Sequence, residues 1–130
     1  MTRIANDREL RQREPRERDA KFLAWLHDLP CVACACALAG GRALPSRPGP
    51  IQAAHLRYSI PTRPNPGMQR RPSDRYATPL CMTHHAEQHA GSERDFWRNL
   101  GVDPFALCDS LHAAFAAGAP GAAVIKRFAS

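Results

Sequence analysis

Apolar residues at nearly helical spacing predict the first packed element of the chain. They are Phe22, Leu23, Trp25 and Leu26, within a helix expected over 16–27 that ends before Pro30. Residues 1–15 carry charges of both signs, which predicts a frayed helix or a mobile arm. We therefore expect 1–21 to be a charged arm or helix that precedes the domain.

Two short strands are predicted on either side of a proline-rich segment. Residues 30–34 favour a tight turn, and glycine and proline make 36–50 an irregular loop. The run 51–56 is a strand candidate, and 76–80 is a second one. The long loop between them, 57–74, has the length of a functional loop.

Capping residues predict three further helices after the second strand. Thr83 is the expected cap of a helix ending near His89, and Ser92 with Asp95 opens a helix that runs through Leu100. The Asp103-Pro104 pair opens a third helix, to about residue 117. We expect 118–130 to be a C-terminal tail and the whole chain to be a small α+β fold.

The net charge of +6 comes from one stretch of the chain. Residues 42–75 hold seven arginines and one acidic residue, whereas the segments on either side are nearly neutral. This distribution favours a polyanionic partner, because basic side chains displace counterions from phosphates. The alternative is that arginine is simply the preferred solubilising residue, since lysine occurs only twice.

Length and apolar runs limit the class of protein. The chain of 130 residues suits one domain, and no apolar run approaches the roughly 20 residues that cross a bilayer. The charged N-terminus lacks the apolar segment of a secretory signal. We therefore expect a cytoplasmic protein that does not contact a membrane.

Five cysteines, two of them in a C-x-x-C motif, favour metal binding over disulfides in a reducing compartment. Cys31 and Cys34 have the spacing of half a zinc site, and Cys81 with His84 has the spacing of the other half. Buried apolar thiols are the alternative, and Cys36 is a second candidate for the fourth ligand. Cys108 lies among apolar residues and is expected in the core.

Three further histidines suggest a second site. His85 and His89 are four residues apart on a predicted helix, so their side chains share a face and can hold one metal ion together. His55 lies on the first strand candidate and is a candidate general base, because an imidazole is partly neutral near physiological pH. A structural histidine at 55 and a solvated helical pair are the alternatives.

These motifs together resemble the phage and prophage HNH endonucleases, and the recombination-enhancement (Ref) nucleases among them. The resemblance covers roughly residues 22–115 and rests on Leu29-Pro30-Cys31-x-x-Cys34, Ala53-Ala54-His55-Leu56-Arg57-Tyr58, Gly67-Met68, Pro72-Ser73-Asp74-Arg75, Pro79-Leu80-Cys81-x-x-His84-His85-x-x-x-His89 and Phe96-Trp97. It implies a zinc-stapled ββα-metal (HNH) domain over 22–117 with flanking helices. The implied activity is metal-dependent hydrolysis or nicking of DNA in a bacterial host.

The resemblance also assigns roles to individual residues. It implies His55 as general base, and His85 and His89 as ligands of a catalytic Mg²⁺ or Mn²⁺. The structural Zn²⁺ would be held by Cys31, Cys34, Cys81 and His84.

The chain departs from the family pattern at two places. Ala54 stands where many members have another metal ligand, so water and substrate phosphate would complete the coordination. The central asparagine is not evident, and Asp74 is the nearest polar residue that can tie down the loop, with Tyr76 nearer the expected spacing.

DNA is the expected partner, and four arginines of the loop and its ends are the expected phosphate contacts: Arg57, Arg70, Arg71 and Arg75. The main alternative is a zinc-dependent nucleic-acid-binding module without catalysis, which Ala54 favours. A thiol oxidoreductase using Cys31 and Cys34 is disfavoured, because no thioredoxin-like βαβ pattern surrounds them.

Overall fold

A computed structural model describes residues 19–58 and 73–130 of the chain. Within these residues a two-stranded sheet is surrounded by six helices, which confirms the α+β class. The elements are α1 (Ala20–Leu26), α2 (Val32–Ala39), β1 (Ile51–His55), β2 (Ala77–Cys81), α3 (Met82–Ala90), α4 (Glu93–Leu100), α5 (Pro104–Ala117) and α6 (Gly121–Ala129). The arm predicted over 1–15 lies outside the described residues.

The two strands form an antiparallel pair in which Ile51 lies opposite Cys81 and His55 opposite Ala77. Every residue of β2 is buried, whereas β1 is mostly half-buried. Both predicted strands are confirmed to within one residue at each end. The pairing brings the end of β1 that carries His55 next to the start of β2.

Helix α3 follows β2 without a connecting loop. Its N-cap is Cys81, whose sulfur accepts a hydrogen bond from the backbone N–H of His84, so the predicted cap at Thr83 is wrong. The Thr83 hydroxyl instead donates to the carbonyl oxygen of Arg47 at 2.7 Å. Thr83 thus holds the loop before β1 against the first turn of α3.

The predicted caps of α4 and α5 are confirmed. Ser92 accepts the N–H of Asp95, and Asp103 accepts the N–H groups of Phe105 and Ala106. Both helices end at a glycine in the left-handed region, with φ of 74° at Gly101 and 70° at Gly118. The side-chain oxygens of Ser92 and Asp103 thus satisfy free N–H groups in the first turn of each helix.

Two segments contain helices that the sequence pattern did not predict. The predictions of a turn at 30–34 and of an irregular loop from Cys36 are wrong over Val32–Ala39, which forms α2. The alanine-rich sequence of this segment favours a helix. The tail expected over 118–130 holds α6, whose Val124 and Ile125 are buried. Gly121 allows this close packing, because a Cβ there would lie 2.7 Å from Leu29 and Trp25.

The core lies between the sheet and the helices. Its largest fully buried side chains include Trp97, Phe22, Phe105, Leu56, Leu80 and Leu111. Cys108 is also fully buried, which confirms its predicted place in the core. The buried face of β2 thus joins helices from both ends of the chain.

Candidate metal centre and histidine cluster

Three cysteines and one histidine converge between α2, β2 and α3. The ligand atoms of Cys31, Cys34, Cys81 and His84 all lie within 4.8 Å of one another. His84 Nδ1 is 3.3–3.5 Å from each sulfur, and the sulfurs of Cys34 and Cys81 are 3.9 Å apart. Tetrahedral zinc with its usual bond lengths separates sulfur from nitrogen by about 3.5 Å and sulfurs by about 3.8 Å. The four side chains can therefore hold one metal ion such as zinc.

Both halves of this cluster are built at the start of a helix. Cys31 caps α2 and accepts the N–H of Cys34 at 3.4 Å, while Cys81 caps α3 and accepts the N–H of His84 at 3.5 Å. Helix N-termini favour negative charge, so each cap stabilises the thiolate that binds metal. The C-x-x-C and C-x-x-H spacings thus use the same local structure twice.

Cys31 and Cys34 lie in surroundings that oppose the ionisation of their thiols. Burial raises the pKa of Cys31, and burial together with the nearby Cys31 and Cys81 raises the pKa of Cys34 to about 12. A divalent cation offsets this penalty, because metal binding and thiol deprotonation are linked. Cys36 is buried but does not belong to the cluster, so the structure supports His84 as the fourth candidate ligand.

His85 and His89 form a second group on the next turn of α3. Their Nε2 atoms are 3.0 Å apart, as the four-residue spacing predicts. The Nδ1 atom of His85 lies 2.7 Å from Gln52 Oε1 on β1, and that of His89 lies 3.1 Å from Glu93 Oε2 on α4. Because both oxygens accept, both Nδ1 atoms donate, which leaves the two Nε2 atoms facing each other.

This arrangement suits a cation. Two nitrogens bound to adjacent positions of an octahedral ion at about 2.1 Å would be about 3.0 Å apart. Burial lowers the pKa of His85, and the neighbouring His89, Arg57 and His55 lower it further. His85 is therefore kept in the neutral form that binds metals.

His55 is paired with Asp74, the residue expected to tie down the loop. His55 Nε2 lies 2.9 Å from Asp74 Oδ1, and the buried carboxylate also accepts the backbone N–H of Asp19 at 2.8 Å. Since a carboxylate accepts, Nε2 carries the proton, and Nδ1 is the basic nitrogen of the neutral ring. The side chain of His55 is 26% exposed, so solvent can reach the ring.

Strand β1 and helix α3 hold the two groups beside each other. Gln52 of β1 contacts His85, and the side-chain amide of Gln88 in α3 donates to the backbone oxygen of His55 at 3.1 Å. Gln88 is fully buried, so this contact is shielded from water. His55 also lies close enough to lower the pKa of His85.

The predicted phosphate-binding arginines that the structure describes, Arg57 and Arg75, have different surroundings. Arg57 is exposed next to the histidine pair, and its backbone N–H donates to Glu93 Oε1 at 3.0 Å. Arg75 instead contacts Asp109 and His112 of α5, at 3.4 and 3.3 Å. Arg70 and Arg71 lie outside the described residues.

Three polar residues of the site were missed by sequence reasoning. Glu93 had no helical signal, because α3 ends at Ala90 and Glu93 begins the next helix. Gln52 and Gln88 had no local signal. Their contacts depend on how α3 packs against β1.

The fold and the cluster define a small α+β protein with a candidate Cys₃His metal centre. No family model, curated protein or solved structure matches the chain. Within the described residues, no helix is both long enough and apolar enough to cross a lipid bilayer. The function must therefore follow from the side-chain geometry described above.

Proposed function

We propose that the chain is a metal-dependent endonuclease of the HNH type, in which β1, β2 and α3 form a zinc-stapled ββα-metal core. The observation that carries this proposal is that β1 and α3 pack together, with the His55–Asp74 pair at the end of β1 and the convergent Nε2 atoms of His85 and His89 on α3. A base next to a cation seat is the minimum set of groups for hydrolysing a phosphodiester.

His55 is the general base of the proposed reaction. Asp74 fixes the Nε2–H tautomer, and the ring accepts a proton from the attacking water at Nδ1. Asp74 is itself held by the N–H of Asp19, so the imidazole has a fixed orientation. The partial exposure of His55 gives water and a phosphate access to it.

His85 and His89 are the proposed protein ligands of the catalytic ion, Mg²⁺ or Mn²⁺. Gln52 and Glu93 orient the two rings through Nδ1, as outer-shell partners of metal-bound histidines generally do. Ala54 provides no ligand, so solvent and substrate complete the coordination. The bound ion supplies positive charge at the scissile phosphate and at the leaving oxygen.

The Cys31, Cys34, Cys81 and His84 cluster is the proposed structural zinc site. It lies next in sequence to His85, so the cluster fixes the first turn of the helix that carries the catalytic ligands. The substrate we propose is DNA, contacted by the arginine-rich segment 42–75. A phage or prophage origin and the cytoplasm of a bacterial host follow from the same assignment.

The proposal is tested by nicking of supercoiled plasmid across a panel of divalent metals, with elemental analysis of the same protein. We expect nicking with Mg²⁺ or Mn²⁺ and one zinc per chain. His89→Ala should lower the rate about 100-fold, because charge stabilisation worth about 2.7 kcal/mol is lost when the ion is bound less well. His27→Ala, outside both groups, is the control and should retain the wild-type rate. Equal rates for both variants would contradict the proposed seat.

Glu93→Gln should weaken the second metal site without removing zinc. The two carboxylate oxygens accept from His89 Nδ1 and from the Arg57 N–H, whereas a glutamine offers one oxygen to these two donors. Loss of such an outer-shell contact lowers metal affinity about 10-fold or more. Titration of the zinc-loaded protein with Mn²⁺ by calorimetry measures the change, and an unaltered affinity would exclude Glu93 as a positioning residue.

A zinc-dependent nucleic-acid-binding module without catalysis is the second candidate. It is favoured by Ala54, whose buried methyl group offers no third ligand. It predicts one metal ion per chain, DNA binding, and no nicking with any divalent ion. The plasmid assay and elemental analysis therefore separate the two functions.

A further inference from the structure

A surface pocket of 290 Å³ lies directly beside the histidine pair. It is lined by Arg57, Tyr58, Ser92, Glu93 and Arg94. Glu93 is shared with the metal seat, because one carboxylate oxygen contacts His89 and the other accepts the Arg57 N–H. Glu93 therefore lines the pocket and contacts the His89 ring.

The charge of the pocket suits an anion. Two arginines line it, and the one carboxylate present is already engaged by two donors. The Arg94 guanidinium lies over the ring of Tyr58, 5.3 Å from its centroid, and Phe105 packs against that ring edge-on. Stacking of this kind holds an arginine in place over an aromatic ring.

Tyr58 adds no negative charge to the pocket. Burial, and to a smaller extent the nearby Glu93, raises the pKa of its hydroxyl to about 12. The group therefore stays protonated at physiological pH. Ser92, the cap of α4, brings a second hydroxyl to the same wall.

We propose that this pocket binds a backbone phosphate of the nucleic acid, next to the phosphate held at His85 and His89, with Arg57 and Arg94 as its ligands. The inference rests on the proposed function and extends it by a second phosphate subsite. Its volume is at the small end of ligand pockets, which suits one nucleotide unit. Arginine forms paired hydrogen bonds to phosphate oxygens, so two arginines fix the strand relative to the metal seat.

Arg94→Gln tests the subsite, with Arg98→Gln as a matched control. Both arginines lie on α4 and carry the same charge, but Arg98 is outside the pocket and forms an exposed pair with Asp95. Binding of a fluorescent DNA duplex by the zinc-loaded full chain is measured at several salt concentrations, without Mg²⁺ or Mn²⁺. Single-stranded DNA and RNA of the same length identify the preferred backbone.

We expect Arg94→Gln to weaken binding about five- to tenfold and to reduce the slope of affinity against salt by about 0.9, the contribution of one phosphate contact. Arg98→Gln should leave both quantities near wild type. Arg57→Gln should reproduce the Arg94 effect, which keeps the test valid if Arg94→Gln misfolds. Thermal melting reports the folding of each variant.

The same proteins are assayed for plasmid nicking, so the two proposals fail separately. Selective loss of DNA binding in Arg94→Gln supports the phosphate subsite even if no protein nicks DNA. Absence of nicking in the wild type would contradict only the proposed nuclease activity. Equal binding by the Arg94 and Arg98 variants, or no DNA binding by the wild type, overturns the subsite even where nicking is observed.

Discussion

Replacing Cys81 with serine is expected to release the zinc and to unfold most of the chain. Serine can still cap α3 at this position, so the main loss is the Cys81 thiolate, one of the four candidate ligands of the cluster. Structural zinc supplies about 10–16 kcal/mol in small zinc domains, which equals or exceeds the typical stability of a domain, about 5–15 kcal/mol. Zinc content and thermal melting followed by circular dichroism measure the effect.

Cys36→Ser is the matched control for this prediction. Cys36 is as well buried as the ligands and lies on the same helix as Cys34, but it does not belong to the cluster. Its replacement should retain one zinc per chain and cost about 1–3 kcal/mol, from burying a hydroxyl group. If the Cys81 variant keeps its zinc and its melting temperature, the four side chains are not a structural metal site.

The elements that could be predicted from sequence are those whose ends carry local chemistry. Ser92 and Asp103 satisfy free N–H groups, and Gly101 and Gly118 adopt positive φ, so each signal lies within its own helix. Helix α2 was missed because a C-x-x-C motif indicates a metal-binding turn, and here the turn is also the start of a helix. Helix α6 was missed because its burial depends on Leu29 and Trp25, distant in sequence.

The same distinction between local and long-range contacts applies to the candidate site. Each half of the cluster and the His85–His89 pair follow from spacings of three and four residues, which local geometry converts into proximity. The meeting of the two halves depends on the packing of α2 against β2 and α3. The contacts of Gln52 with His85 and of Gln88 with His55 depend on the packing of α3 against β1. The candidate ligands were therefore predictable, whereas the groups that orient the histidine rings were not.

Replacing His55 with alanine is expected to lower plasmid nicking by about 10²–10⁴-fold, the usual contribution of a general base. Zinc content should not change and the protein should remain folded, because the ring is partly exposed and the buried Asp74 carboxylate keeps the Asp19 N–H as a partner. Loss of the His55 contact should lower the free energy of unfolding by about 1–3 kcal/mol. Undiminished nicking would exclude His55 as the base.

Asp74 provides a graded test of the same mechanism. Asp74→Asn keeps an oxygen that can accept from His55 Nε2, but it removes the charge that stabilises the imidazolium formed when Nδ1 takes a proton. We therefore expect Asp74→Asn to nick more slowly than the wild type and faster than His55→Ala. The alanine variant, Asp74→Ala, loses both orientation and charge, so its rate should approach that of His55→Ala. Equal rates for Asp74→Ala and the wild type would mean that Asp74 does not assist His55 in the reaction.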